Sequence, residues 1–213
     1  MHKIAFFDFD ETIVKINSFP LFIIFASSHL LKTRQYRSLF AIIRILVRRK
    51  IFKSVSHEAL KFLMLSVKIS DTKLDQIAHY LSKRTRASVV NALREHYYRG
   101  DTILISSAAP EHYLTRTLQK ILPDLYPEVI IIGSKIIGGQ FKSNYKRQKY
   151  HALLECIEAS PEVAIVACYT DSYDDISIAE VSEQTILVTP SKNTLILYKN
   201  NANTREKLVV LNN

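Results

Sequence analysis

The chain has 213 residues, 47% of them hydrophobic, with four Gly, six Pro and no Trp. That length suits one large domain, or a core domain carrying a smaller insertion, and the composition excludes a flexible linker, a low-complexity tract and an internal repeat. The net charge of +9 sits in one place: from Thr12 to His57 there is no Asp or Glu, while Lys15, Lys32, Arg34, Arg37, Arg44, Arg48, Arg49, Lys50 and Lys53 are basic, and the other 20 Lys and Arg balance the 20 acids.

The first residues, "MHKIAFFDFD", hold too short an apolar run and too early a pair of acids for a signal peptide, so a cytoplasmic protein is expected. Their run "KIAFF" predicts a buried strand ending in Asp8 and Asp10. Side chains alternate along a strand, so both carboxylates should point one way and Phe9 should turn back into the core. Two carboxylates in one place repel unless a cation or a shared proton relieves them; the alternative is a pair of exposed loop acids.

From Lys15 to Arg86 apolar positions recur at three and four, which predicts helices and no strand. "FPLFIIFASSHLL" is too short to span a bilayer, which takes about 20 apolar residues. In "RSLFAIIRILVRRKIFK" basic and apolar residues alternate as in an amphipathic surface helix, which would lie on anionic lipid. The competing reading is a solvated basic face over a buried stripe.

After residue 86 helical patterns, "ASVVNALREHYYRG", "PEHYLTRTLQKIL" and "KYHALLECIEA", alternate with short β-branched runs, "TILIS", "EVIII", "EVAIVAC" and "TILV". Alternation of this kind predicts a parallel sheet covered on both faces. The expected architecture is therefore a Rossmann-like α/β core, residues 1–14 and 87–213, with a helical cap of residues 15–86 inserted after the first strand. Cys156 and Cys168 have no metal-ligand spacing and are expected as reduced, buried thiols. Only the polar stretch "NNANTREK" reads as disordered.

In open parallel sheets chemistry is done at the carboxyl ends of the strands. "TILISSAAP" ends a strand with Ser106 and Ser107, "KSNYKRQKY" sets Lys146 and Lys149 ahead of a helix, and "VAIVACYTDSYDD" ends another strand with Asp171, Ser172, Asp174 and Asp175. An acid pair, a hydroxyl, a lysine and an acid cluster entering one crevice suit a divalent cation and a phosphate, and hard carboxylates with few other ligands suit Mg²⁺.

This order of motifs resembles the haloacid dehalogenase superfamily of phosphotransferases, and within it the phosphoserine-phosphatase-like group with a helical cap (subfamily IB). Its DxDxT motif is matched by Asp8, Asp10 and Thr12, its strand-end hydroxyl by Ser107, with Ser106 as the other register, its lysine by Lys149, and its GDSxxD by Asp171, Ser172 and Asp175. The resemblance implies a Mg²⁺-dependent phosphomonoester hydrolase with Asp8 as nucleophile and Asp10 as general acid and base. It also implies phosphate-binding roles for Ser107 and Lys149, and a metal site of Asp8, the Asp10 carbonyl, Asp171 and Asp175. Glu11 and Thr170 stand where most relatives have Gly. Glu11 adds negative charge near an anionic substrate and takes up glycine-only backbone angles at a cost; a DxDET sequence also resembles the motif of the polymerase-tail phosphatases.

Where phosphoserine phosphatases carry a glutamate that binds the substrate ammonium, this chain has Asn17, so phosphoserine is not the expected substrate. The acid-free first half of the cap favours an anionic or amphiphilic one. Bacterial phosphatidylglycerophosphate phosphatases of the same group also carry an apolar, basic cap, which implies a phosphorylated small molecule or lipid as substrate, with peripheral contact at the inner membrane face. Two other classes stay open: a catalytically silent binding module, and a nucleic-acid phosphatase or binder. The aromatics of the basic segment fall within apolar runs rather than forming a stacking platform, which argues against nucleic acid.

Overall fold

The computed structural model describes residues 2–52, 56–157 and 163–212. Lys53, residues 158 and 159 of the last helical pattern and residue 162 of the strand pattern after it lie outside them. Strand β1 (His2–Asp8) runs into a π-helical turn (Phe9–Ile13), followed by helices α1 (Ser18–Lys32), α2 (Tyr36–Val47), α3 (His57–Ser66) and α4 (Asp71–Ser82). Then come α5 (Ala87–Tyr98), β2 (Thr102–Pro110), α6 (Glu111–Ile121), β3 (Ile130–Ile137), β4 (Gln140–Lys142), α7 (Arg147–Ile157), β5 (Val163–Thr170), α8 (Ile176–Ala179), β6 (Gln184–Val188), α9 (Lys192–Asn200) and β7 (Leu208–Leu211).

Among the described residues seven strands form one sheet in the order β4-β3-β2-β1-β5-β6-β7, parallel except for the β3–β4 pair. β1 is central and apolar on both sides. Its alternate residues feed two cores: Ala5 and Phe7 join one with α1, α4, α5 and α6, whereas Ile4 and Phe6 join the other with α7, α8 and α9. Two-sided burial is the reason this strand reads as a continuous apolar run rather than an alternating one.

Much of the apolar content between residues 18 and 81 is core. Phe19, Phe22, Ala26 and Leu30, spaced three or four apart along α1, are buried in the same cluster as the sheet face. Helix α4 packs on α6, where Arg116 pairs with Asp75 at 2.9 Å and with Asp71. The chain leaves and rejoins the sheet side by side: Lys15 N–H donates to the Arg84 carbonyl and Arg86 N–H to the Ile13 carbonyl, both at 2.8 Å, around an antiparallel bridge of Val14 with Thr85.

Three expectations are corrected, and two edge strands are added. Asp10 is not on the strand, which ends at Asp8; it lies in the π-helical turn, and Phe9 is buried there. Cys156 is exposed on α7, while Cys168 is buried as expected. The polar stretch before residue 208 is folded: Thr204 Oγ1 donates to the Tyr198 carbonyl at 2.8 Å, and Lys207 Nζ donates to the carbonyls of Glu180, at 2.8 Å, and Ser182. The following residues add β7 to the sheet edge, and β4 adds the opposite edge; neither strand was read from the sequence, since each is short and partly exposed. No helix among the described residues is long and apolar enough to cross a membrane.

Gly133 lies where β3 passes α6. A Cβ there would stand 2.6 Å from Glu111 Cα and 2.8 Å from Glu111 N, backbone atoms that cannot swing aside. Gly133→Ala is expected to destabilise the fold by about 1–3 kcal/mol, lowering the thermal midpoint by roughly 2–4 °C per kcal/mol for a chain of this size.

Candidate active site

The parallel register sets β2, which runs on past the expected end at Ser107 to Pro110, and the end of β5 on either side of Asp8. Asp8 is level with Ser106 on one side, and Thr170 closes β5 on the other. The cleft there, about 400 Å³, is lined by Asp8, Asp10, Ser107, Lys149, Asp171 and, from the helical segment, Lys61.

Lys149 stands in the first turn of α7 with its ammonium 2.5 Å from Asp8 Oδ1 and 2.9 Å from Asp175 Oδ1. Burial alone would lower its pKa, but the carboxylates of Asp175 and Asp8 more than reverse that, so Lys149 is held charged above its ordinary range. Asp8 moves upward as well: burial raises its pKa, Lys149 pulls it back, and the nearby charges of Asp175 and Asp171 push it up again. Three carboxylates thus compete for one ammonium. Asp171, just past β5, is pushed up to about 7 by burial and then by Glu11 and Asp175. The Thr12 hydroxyl sits between the two acids, 3.3 Å from Asp8 Oδ2 and 3.4 Å from Asp171 Oδ1.

Asp10 faces the same cleft from the π-helical turn. Its Oδ1 accepts the Ser18 N–H at 2.9 Å, at the N-terminus of α1, where helix dipole and free N–H groups favour an anion. Burial is the larger influence and moves Asp10 upward overall. The Ser18 hydroxyl is paired with Tyr113 Oη at 2.7 Å, which ties that helix end to α6.

The two serine registers are separated by their partners. Ser106 Oγ is buried and accepts from Asn144 Nδ2 at 2.8 Å. Ser107 lines the cleft, and its Oγ accepts the Ala109 N–H at 3.0 Å, which leaves its proton to donate. Asp175 is buried behind Lys149 rather than lining the cleft, and its Oδ2 accepts the Thr170 hydroxyl at 2.8 Å. That hydroxyl also accepts the Ser172 N–H at 3.1 Å, so Thr170, in place of the usual Gly, builds the loop that aims Asp171. Ser172 Oγ in turn accepts Asp174 N–H at 3.2 Å. Lys146, the other lysine of the motif region, is exposed and 3.7 Å from Asp174.

Residues 5–180 match the family described as haloacid dehalogenase-like hydrolase. The chain belongs to that family. No curated protein matches it in sequence. Among solved structures it resembles a protein of unknown function from Bordetella pertussis Tohama I, with a TM-score of 0.70 at 14% identity over 99% of this chain and 98% of that one. It also resembles a phosphoserine phosphohydrolase-like protein from Francisella tularensis subsp. tularensis SCHU S4, with a TM-score of 0.57, 18% identity and 92% of each chain covered. A third is a substrate-bound phosphoserine phosphatase complex, with a TM-score of 0.60, 13% identity and coverage of 99% and 93%. Identities this low speak to the shared fold.

As a haloacid dehalogenase-like hydrolase the chain departs from its motif at Glu11, and the structure shows the consequence. Glu11 adopts φ 59°, ψ −3°, a left-handed conformation that costs a non-glycine residue about 1–2 kcal/mol. Its carbonyl accepts from Arg86 Nε at 3.3 Å, and its carboxylate adds to the charge beside Asp171.

Phosphatases of this family generally use Mg²⁺. Among the described residues no group of three or more His, Cys, Asp or Glu side chains is arranged to hold a metal ion. Two carboxylates, Asp8 and Asp171, nevertheless converge on Thr12, both held above their ordinary range first by burial and then by neighbouring carboxylates. Two hard oxygen ligands beside an open cleft fit a small cation that keeps most of its waters.

Sequence reasoning missed Lys61. It projects from α3, is buried to 3% exposure, donates to the Ala108 carbonyl at 2.8 Å and lies 5.7 Å and 5.3 Å from the ring centres of Phe19 and Tyr145. Burial lowers its pKa to about 8, although Asp10 draws it upward. A lysine 47 residues before its hydrogen-bond partner, inside a helical pattern full of basic residues, gives no local signal.

Proposed function

We propose that this chain is a Mg²⁺-dependent phosphomonoester hydrolase acting through an aspartyl-phosphate on Asp8, with residues 15–86 as the cap that selects the substrate. The observation that carries the reading is the Asp8 carboxylate, fixed by Lys149 at 2.5 Å, opening on the cleft that Asp10 and Ser107 share. Asp8 attacks phosphorus, the bond from phosphorus to the leaving oxygen breaks, and Asp10 gives that oxygen its proton. Asp10 then takes a proton from water as the water oxygen attacks phosphorus. The bond to Asp8 breaks, and inorganic phosphate leaves. Lys149 and the Ser107 hydroxyl stabilise charge on the equatorial oxygens.

Asp8, Asp171 and the Asp10 carbonyl are the residues that would hold Mg²⁺. Asp175 supports that site from behind by fixing Lys149. When bound, the cation neutralises the clustered carboxylates and the phosphate charge they would otherwise repel. The convergence of Asp8 and Asp171 on the Thr12 hydroxyl supports this assignment, and a cation there would offset the charges that Glu11 and Asp175 add to the effect of burial on Asp171. Mg²⁺ is accordingly expected to raise the thermal midpoint of the wild type; Asp171→Asn should remove that shift, and an equal shift in the variant would place the cation elsewhere.

The substrate we propose carries a second anionic group, met by Lys61. This favours an anionic small molecule or a lipid phosphate over phosphoserine, and Asn17, whose side chain caps the Phe19 N–H at 3.1 Å, offers no charge to an ammonium. Lys61→Met should raise KM for such a substrate by about 10–100-fold, the range for a hydrogen bond to a charged group, with little change in kcat. Because Lys61 titrates near pH 8, it is charged below that value and neutral above it. The wild-type kcat/KM is therefore expected to fall as pH rises through 8, a limb absent from the pH profile of Lys61→Met. The direct test of the whole reading is phosphate release from para-nitrophenyl phosphate and from a panel of soluble and lipid phosphomonoesters, with Mg²⁺ and with EDTA. No release from any of them by folded, Mg²⁺-binding protein would favour the silent binding module.

A further inference from the structure

Helix α2 buries one side and leaves an apolar stripe on the other. Ile42 is fully buried, and Leu39, Ile45 and Leu46 pack against the core from partly buried positions. Tyr36, Phe40, Ile43 and Val47 recur every three or four residues, which places them on one helix face, and they are exposed at 49%, 67%, 46% and 42%. Ile51, in the π-helical turn that continues the helix, is exposed as well. Arg37, Arg44 and Arg48 each follow a stripe residue by one position, so they form a ridge along its flank. All three are exposed, and none pairs with a carboxylate among the described residues.

We propose that the outward face of α2 docks on an anionic lipid bilayer, with the stripe of Tyr36, Phe40, Ile43 and Val47 entering the interface and the arginine ridge lying on the headgroups. The helix satisfies both halves of the requirement for a surface-lying helix, apolar area for the acyl boundary and cations for the lipid charge.

Other occupants fit worse. A second copy of the chain meeting this face about a two-fold axis would set arginine ridge near arginine ridge, with no acid between Thr12 and His57 to relieve them. Nucleic acid would use the arginines but gains nothing from exposed isoleucine and valine. The proposal stands apart from the chemistry of the cleft, because nothing in the stripe or the ridge lines that cleft.

The test is co-sedimentation of the full chain with vesicles of phosphatidylcholine mixed with phosphatidylglycerol, and with phosphatidylcholine alone. Wild type should pellet with the anionic vesicles only. Phe40→Ser/Ile43→Ser and Arg37→Gln/Arg44→Gln/Arg48→Gln should each lower the partition coefficient by at least about tenfold, with unchanged circular dichroism and thermal midpoint, while Asp8→Asn should bind as wild type does. Any of three results would overturn the proposal: wild type staying in the supernatant, serine variants binding like wild type, or a wild-type dimer that the serine variants dissociate. A DNA duplex that displaces wild type from the vesicles at equal phosphate concentration would also overturn it, in favour of the nucleic-acid reading. Because the readout is sedimentation, its failure is distinct from a failure of the phosphatase reading.

Discussion

Asp8→Asn is expected to lower Mg²⁺-dependent phosphate release by at least about 10³-fold, the scale of losing a nucleophile that acts as part of a unit, while leaving the protein folded. The substitution keeps the shape of the side chain and an oxygen that can still accept from Lys149. It removes one of the three carboxylates, Asp8, Asp171 and Asp175, that share the single ammonium of Lys149. Relieving that repulsion should hold the thermal midpoint or raise it, so a loss of activity cannot be blamed on unfolding. Phosphate analogues should still bind, because Ser107 and Lys149 remain. Residual turnover within tenfold of wild type would mean that another group attacks phosphorus, and the aspartyl-phosphate reading would fail with it.

That Asp8, Ser107, Lys149 and Asp171, which line one cleft, could be picked out as candidates from the sequence is a matter of topology. In a parallel sheet candidate groups gather towards the carboxyl ends of the strands and the starts of the helices, so an apolar run followed by a polar residue marks both the fold and the candidate site. The alternation of short apolar runs with helical patterns that identified β1, β2, β3, β5 and β6 is the same signal. What escaped was fixed by contacts distant in sequence. Lys61 is recognisable only once α3 is folded against the Ala108 loop. The choice between Ser106 and Ser107 needed Asn144, which captures one hydroxyl and frees the other. Asp10 was expected on the strand because side-chain alternation was extended two residues too far; the left-handed Glu11 turns the chain at that point and brings Asp10 back to the Ser18 N–H. The edge strands β4 and β7 escaped because their side chains are partly exposed and their runs are short, and Cys156 because an exposed cysteine on an amphipathic helix looks like a buried one by composition.

Asp10→Asn should separate the two halves of the reaction. With a poor leaving group such as an alkyl phosphate, the first step needs the Asp10 proton, and kcat should fall by about 10²–10⁴-fold, the contribution of a positioned acid or base. With para-nitrophenyl phosphate the departing phenolate needs little protonation, so Asp8 should still be phosphorylated at a useful rate. The second step, however, requires a base to take a proton from water, and asparagine cannot act as one. A burst of nitrophenolate approaching one equivalent per chain should therefore precede a slow steady rate, with the phosphate recoverable on Asp8. Burial already raises the pKa of Asp10, which favours the acid role, and the Ser18 N–H holds the same oxygen in place when it becomes the base. Equal losses for both substrates with no burst would show that Asp10 only positions its neighbours, and the proton would have to come from another group in the cleft.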